Sequence, residues 1–503
     1  MKTSKSKKTV SEATPTSNAL KNFFKQQIKP YLPFLILLSV ICWGTFAMVL
    51  NNGFVSDDIA AFVKSDELHS FKNVLSLKGF SGPRLLYAFT YQLFGLNPTP
   101  LHFWAILMHN LNAVLVFYFV LKVFENKKTA YISALLFAVH PIVTEPVNWI
   151  SGKHYIANTN ALLIIGLLYL YFRETKRKSY LIFSIVVLAA YLIMIKSTWT
   201  FITPFFAALI ELFFIDEKKK KGFYPAIYLL VVGVFVAFAM SGKIVNRIKY
   251  MQNGNSTAST ISSTSTEQAP QENKPSYINR VTYTTTSAAK LLVFPKDLSL
   301  YHEGEKVSNF LLISGQLILV ISGGMLIYWI SSKKHKLAGL LAGMYLSLLP
   351  TFSPIQVSWF IADRYLYFTS VFFVIFAALL IKKLESEIKI KNLSLYLTIL
   401  IAGVYIYRDV LRNNDWQNRK TLWEATARTN PNSPKVHNNL GDVYSLEGNM
   451  EKAIASFEKA VELNPNYAEA MYNLGNAYVN TDKKEEGEAL IQKALEMKPN
   501  MLE

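Results

Sequence analysis

One cysteine, Cys42, and a shortage of acidic residues define much of what this chain is not. A lone thiol inside an apolar run excludes an intrachain disulfide framework and a cysteine-rich metal site. Charged residues make up only 17% of the 503, and acids are the scarcer sign: 34 Asp and Glu against 52 Lys and Arg, net +18. With 51% hydrophobic residues and a mean hydropathy of +0.23, the chain is too apolar for an ordinary soluble domain. Its basic residues are dispersed in short loops between apolar runs rather than gathered in one patch. That distribution argues against nucleic acid as a partner and fits the rule that cytoplasmic loops are basic. A small-residue cleavage site is also missing behind the basic start (Lys2, Lys5, Lys7, Lys8), so the first apolar run reads as an uncleaved anchor. Charges in mid-span and internally repeated helix groups are lacking too, which argues against a transporter.

What is present is a series of apolar runs suited to a hydrocarbon core of roughly 30 Å. Eleven spans are expected: Tyr31–Leu50, Leu101–Phe124, Thr129–Val147, Ile156–Phe172, Ser179–Ile195, Thr198–Ile215, Phe223–Ser241, Asn309–Ser331, Leu337–Thr351, Tyr365–Ile381 and Leu393–Tyr407. A further apolar stretch, Ser287–Leu300, carries Lys290 and Pro295 and reads as re-entrant or interfacial. Alternate short loops, at Glu125–Lys128, Arg173–Lys178, Asp216–Lys221, Ser332–Lys336 and Lys382–Lys391, each carry at least two Lys or Arg. The opposite loops carry one each: Lys153, Lys196 and Arg364. This parity places the N-terminus in the cytoplasm and the C-terminus outside. The expected organisation is a basic cytoplasmic segment (1–30), a membrane domain (31–408) and an extracytoplasmic domain (409–503). The first external loop is 51–100. A second, 242–280, holds nine Ser or Thr in Ser256–Thr266 and reads as disordered.

The C-terminal domain repeats every 34 residues. Leu440-Gly441 returns as Leu474-Gly475, Tyr444 as Tyr478, Ala460 as Ala494 and Pro465 as Pro499. Period and pattern are those of tetratricopeptide (TPR) repeats, paired antiparallel helices that stack into a superhelix. Two full repeats, about 434–467 and 468–501, follow a half repeat at 412–431 in which Trp423 stands where Phe457 stands later. The expected fold class is therefore all-α: a multi-pass helical membrane domain followed by a helical-repeat domain.

Candidate chemistry gathers on the external side. Asp57-Asp58 follows the first span. Carboxylates there serve as helix-start residues, favoured by the dipole behind a Ser56 cap, or as a general base or cation ligand. His140, Pro141, Thr144 and Glu145 close the third span. Asn148, Trp149, Ser151-Gly152-Lys153-His154 follow, a polar density that at membrane depth tends to line a cavity. His140 and Glu145 are expected to shape the site or act in it. Arg364, in Asp363-Arg364-Tyr365, is either an interfacial arginine paired with Asp363 or a bidentate phosphate ligand. Lys153 and His154 are expected beside it, with Arg84 a weaker member. His102 and His109 in the second span are weaker still. Asn439 and Asn473 precede each Leu-Gly, where an amide can meet an extended peptide.

These residues lie in blocks with a familiar look. Ala134-Leu135-Leu136-Phe137-Ala138-Val139-His140-Pro141-Ile142-Val143-Thr144-Glu145-Pro146-Val147-Asn148-Trp149-Ile150-Ser151-Gly152 resembles the "FAVHP…TE.V.W..G" block of the transmembrane, TPR-containing O-mannosyltransferases (TMTC) and their bacterial relatives. Phe54-Val55-Ser56-Asp57-Asp58 is similar to their first-loop acidic motif. Leu291 to Leu300 is similar to "LLLFP..LS", and Ala362-Asp363-Arg364-Tyr365-Leu366-Tyr367 to "ERYLYLPS". Two departures stand out: Gly82-Pro83-Arg84 where the family has Tyr-Arg-Pro, and Asp363 where it has glutamate. The resemblance implies a GT-C-type, inverting glycosyltransferase that takes a sugar such as mannose from a polyprenyl phosphate. The acceptor would be an extracytoplasmic protein Ser or Thr hydroxyl presented by the repeats. Asp57, Asp58, His140 and Glu145 would be catalytic. Arg364, Lys153, His154 and Arg84 would hold the donor phosphate, and Asn439 and Asn473 the acceptor peptide. A Mg or Mn ion, if used, would sit on Asp57, Asp58 and Glu145. The expected location is a bacterial inner membrane, or the ER membrane in a eukaryotic cell. A membrane-anchored TPR scaffold without enzymatic activity is the alternative.

Overall fold

A computed structural model describes residues 24–75, 81–195, 202–216, 224–240, 276–302, 308–352, 360–481 and 483–502. Among them every regular element is helical. The membrane domain contains α1 (Leu32–Phe46), α2 (Gly82–Phe94), α3 (Thr99–Phe124), α4 (Lys127–Ala138), α5 (Thr144–Asn148), α6 (Lys153–Thr175), α7 (Lys178–Ile195), α8 (Ile202–Leu209), α9 (Pro225–Met240), α10 (Tyr277–Val293), α11 (Asn309–Ser331), α12 (His335–Leu348), α13 (Tyr367–Ile388) and α14 (Leu393–Asp415). The repeats comprise α15 (Arg419–Thr429), α16 (Pro434–Leu446), α17 (Met450–Leu463), α18 (Ala468–Val479) and α19 (Lys484–Met497).

Among the described residues, seven helical spans are long and apolar enough to cross a membrane, and an eighth forms if the pair Lys127–Ala138 and Pro141–Asn148 is one span bent by 47°. Pro141 causes that bend: it supplies no amide proton to the turn before it. Three further expected spans meet shorter helices, at Ile202–Phe214, Pro225–Val234 and His335–Leu348. Residues 198–201, 223 and 241 of those expectations lie outside the described residues, as do 242–275 of the Ser/Thr-rich loop. The end of that loop is corrected: Tyr277–Arg280 already belongs to α10, capped by the Ser276 side chain accepting from Asn279 N–H.

Burial orders the bundle. α6 and the Asp363–Ile388 span are its most enclosed members, 72% and 67% buried over their apolar windows, while α11 is 11% buried. α11 therefore presents Phe310, Val320 and Ile327 outward, as a lipid-facing helix does. Close approach at the centre requires Gly343: a Cβ there would meet the Phe372 ring at 2.5 Å. Deep in the bundle Arg173 pairs with Glu211 at 2.7 Å, and Tyr169 donates to the same carboxylate at 2.7 Å.

α14 runs unbroken from the membrane domain to Asp415, so the boundary drawn at 408–409 falls inside a helix. The repeats then begin at α15, whose Asn418 and Thr421 form a capping box. The 34-residue period appears in the bonding: Tyr444 donates to Glu424 at 3.0 Å and Tyr478 to Glu458 at 2.6 Å. The repeat domain is joined to the membrane domain by a buried cluster in which Trp416, Leu422 and Trp423 pack with Val55, Trp149 and Leu300.

Candidate active site

Asp58 is the centre of the site. The Val55–Asp58 turn closes with Asp58 N–H donating to Val55 O at 3.0 Å, and Ser56 adopts φ +50° to make it. That left-handed backbone sends two neighbouring acids opposite ways. Asp57 is exposed and only meets the Ser56 hydroxyl at 3.4 Å, whereas Asp58 is fully buried. The Asp58 carboxylate accepts from Ser151 N–H at 2.8 Å, Ser151 Oγ at 2.6 Å and Val55 N–H at 3.3 Å. Burial pushes its pKa up to about 6; those bonds and the Lys153 charge only partly offset it. Neither aspartate side chain caps the helical turn that follows, and Asp57 does not join the site.

The Ser151 partner comes from the sharp corner between α5 and α6. Two residues on, Lys153 is 7% exposed and its Nζ has no hydrogen-bond partner. Lys153 and His154 are the basic groups that line a cavity of about 160 Å³ among the described residues, whose other walls include Phe62, Leu86, Tyr87, Leu101, Met108 and Ile195. His154 Nδ1–H donates to Ser151 O at 3.0 Å, and its ring lies 4.0 Å from the Tyr155 ring. Arg84 is not on this wall: it projects from the exposed first turn of α2, although its neighbours Gly82 and Pro83 line the cavity.

Arg364 and Glu145 converge on each other rather than on a ligand. Arg364 Nη1 donates to Glu145 Oε1 at 2.6 Å and to Leu300 O at 3.1 Å, and Arg364 N–H donates to Glu145 Oε2 at 2.8 Å. The guanidinium covers the Trp149 and Tyr365 rings at 5.0 and 5.1 Å. Both carboxylate oxygens are thus occupied and the arginine is already neutralised. Glu145 and Arg364, expected as a catalytic group and a phosphate ligand, form a buried pair that shapes the corner before Ser151. His140 is likewise structural. Its Nδ1 accepts from Ile142 N–H at 3.2 Å, which assigns the proton to Nε2, donating to Leu292 O at 3.0 Å. His109 is held by Tyr367 at 2.6 Å and Ala138 O at 3.1 Å. His102 is buried in the same helix.

No three His, Cys, Asp or Glu side chains gather among the described residues. Asp57 points away, Asp58 is bonded to Val55 and Ser151, and Glu145 is engaged by Arg364. These three therefore do not fit a Mg or Mn site. The repeat asparagines are also corrected. Asn439 donates to Lys435 O at 2.8 Å on its own helix, and Asn473 to Asn438 at 3.0 Å and Asp442 at 3.3 Å in the preceding repeat. Their amides join the array to itself rather than to an incoming chain.

The partners Asn52, Ser299, Tyr301, His302, Asp409 and Asn413 escaped the sequence. Thr144 donates to Asp409 at 2.7 Å, and Asn148 donates to Asn413 at 2.7 Å and accepts from Asn52 at 2.7 Å, so α14 braces the corner that carries Glu145. Asp363 accepts from Ser299 N–H at 3.0 Å and meets His302 Nε2 at 2.7 Å. The Tyr301 hydroxyl lies beside the Ser56 side chain. Single polar residues in apolar surroundings were the available signal, but their partners lie up to 265 positions away.

Comparison with known proteins follows this layout. A family profile described as TPR repeat matches residues 441–482, and one described as Tetratricopeptide repeat matches 468–501. The chain is 24% identical over 457 residues to the human Protein O-mannosyl-transferase TMTC3, covering 81% of this chain and 49% of that protein. It is 26% identical to Protein O-mannosyl-transferase F38B6.6 of Caenorhabditis elegans (85% and 62%) and 23% identical to human TMTC1 (84% and 54%). The chain spans about half the length of the curated relatives it matches. Its likeness to proteins named as O-mannosyl-transferases thus extends through both the membrane helices and the tetratricopeptide repeats, which is the resemblance its own sequence blocks display.

Proposed function

We propose that this protein is a membrane glycosyltransferase that moves a sugar, mannose by likeness to its relatives' names, from a polyprenyl phosphate to a hydroxyl of an extracytoplasmic protein. The observation that carries the reading is the pairing of an apolar cavity with one buried, hydrogen-bond-free ammonium, Lys153, beside the buried acid Asp58. Apolar walls suit an isoprenoid, and Lys153 with His154 suits the phosphate at its end. Asp58, with a pKa of about 6, is ionised at neutral pH yet basic enough to take a proton. In the transfer, Asp58 accepts the acceptor's hydroxyl proton and the oxygen attacks the anomeric carbon. The bond from that carbon to the phosphate oxygen breaks on the opposite face, inverting the centre. The electron pair leaves on the lipid phosphate, where the Lys153 ammonium balances its charge. The alternation of basic loops supports a site and repeats that face outside, with the N-terminus in the cytoplasm. The repeats would bring the acceptor.

The test is donor binding. Full-length protein in lipid nanodiscs is titrated with decaprenyl phosphate. Lys153→Gln is expected to weaken binding by about 10- to 100-fold, the range for losing a charged hydrogen bond. It is expected to slow sugar release from decaprenyl-phosphate mannose in parallel. Equal affinity in the variant would remove the cavity from the donor site and overturn the reading.

A further inference from the structure

The segment that follows α10 meets the repeat domain at Ser299, Leu300 and Tyr301 and the site at Ser299, Leu300 and His302. α10 stops at Phe294-Pro295, and the chain continues without regular structure between α15 and the site. Ser299 N–H donates to Asp363 Oδ2 at 3.0 Å, while its Oγ accepts from Asn430 Nδ2 at 2.5 Å and Thr429 Oγ1 at 2.9 Å at the end of α15. The Leu300 side chain is fully buried with Trp416, Leu422 and Trp423, and its carbonyl accepts from Arg364. Tyr301 packs on the Trp423 ring at 5.9 Å, and its hydroxyl lies beside the Ser56 side chain. His302 meets the second oxygen of Asp363 at 2.7 Å.

Loops ordinarily run over a surface because buried backbone must be bonded. This one is buried at Leu298, Ser299 and Leu300, and its bonds alternate between two domains. On one side it ends on α15. On the other it ends on the two supports of Asp58: the Arg364–Glu145 pair, which sets the corner holding Ser151, and Ser56, whose left-handed backbone turns Asp58 inward. A side chain at φ +50° is disfavoured and stays only where its surroundings hold it.

We propose that residues 299–302 are a tether through which the repeat domain fixes the geometry around Asp58, with Ser299, Tyr301 and Asp363 as positioning residues. The importance of that geometry for transfer rests on the function proposed above; the tether itself does not. Hydrogen–deuterium exchange of the full-length protein in nanodiscs separates the two. Asn430→Ala removes a bond to Ser299 and lies outside the membrane domain. It is expected to speed amide exchange about tenfold, the scale of one lost buried hydrogen bond, at 299–302, 363–366 and 55–58, with α6 unchanged. Asn430→Asp, which accepts from the same Ser299 hydroxyl, is expected to restore slow exchange. Tyr301→Phe keeps the ring against Trp423 but removes the hydroxyl beside Ser56, so exchange should rise at 55–58 and not at 363–366. Faster exchange confined to 419–502 in Asn430→Ala, or unchanged exchange at 55–58 in Tyr301→Phe, would overturn the tether even if sugar transfer were established. In a transfer assay Asn430→Ala should lower kcat and leave KM for decaprenyl-phosphate mannose unchanged; a change in KM alone would overturn positioning of Asp58.

Discussion

Replacing Asp58 with asparagine separates a working acid from a structural one, because the two roles predict opposite signs for stability. The carboxylate is fully buried and its pKa is about 6 against an ordinary 3.8. Burial therefore makes the folded protein bind this proton more readily than the unfolded chain. The cost of keeping Asp58 ionised is fully present above about pH 6 and fades as the pH falls to the ordinary value. A displacement of roughly two units corresponds to about 3 kcal/mol. Asparagine bears no charge and can keep both Ser151 donors on its Oδ1. Its amide would face Val55 N–H, donor to donor, and lose the long 3.3 Å contact, at about 1 kcal/mol. The balance makes Asp58→Asn about 2 kcal/mol more stable than the wild type at pH 7.5 and about 1 kcal/mol less stable once the pH falls below about 4. Transfer should fall by about 10²–10⁴-fold, the usual worth of a positioned base. The wild-type rate should decline below about pH 6 as Asp58 takes up its proton, and the residual rate of the variant should lack that limb. Thermal unfolding in nanodiscs between pH 4 and 8, with initial rates on decaprenyl-phosphate mannose, reads both. A variant less stable than wild type at pH 7.5 that keeps its activity would show that Asp58 is a strut for Ser151 and refute the mechanism.

Other consequences are more direct. Glu145→Gln leaves Arg364 buried without its counter-charge and should lower stability by about 3–5 kcal/mol, seen as a lower Tm; an unchanged Tm would mean that water reaches the pair. Leu446→Cys places a thiol at a 72% exposed position of the repeats, while the native Cys42 is buried. A membrane-impermeant maleimide should label it on intact cells, and labelling only after permeabilisation would invert the topology.

The all-α architecture was legible because its signals are local. Apolar length, loop charge and a 34-residue period need no knowledge of partners, and the expected spans and repeats meet helices wherever residues are described. The edges were less legible. Nothing in the polarity of Arg408 and Asp409 says that α14 continues, because the helix persists to Asp415 by bonding Asp409 to Thr144 and Asn413 to Asn148. Those partners compensate for burying polar groups that hydropathy alone would place in water.

The site was legible as a neighbourhood and not as a set of roles. The sequence marked Asp57, Asp58, Glu145, Lys153 and Arg364 because charge near a membrane needs a reason. It could not say which charges answer each other. Glu145 and Arg364 are 219 positions apart and satisfy one another in a buried ion pair. Asp57 and Asp58 are adjacent and diverge, because one left-handed residue, Ser56, reverses the backbone between Val55 and Asp58. Serine at that position is an unusual choice where glycine would be easier. Its side chain supplies what glycine lacks, a hydroxyl that lies beside Tyr301 and so beside the tether under the repeats. The acid that remains, Asp58, stands next to the one cation among these candidates whose ammonium has no hydrogen bond, Lys153. That residual pair, left after every other charge in the motif blocks has been matched or turned outward, is the strongest physical reason to place proton transfer at Asp58 and the leaving phosphate at Lys153.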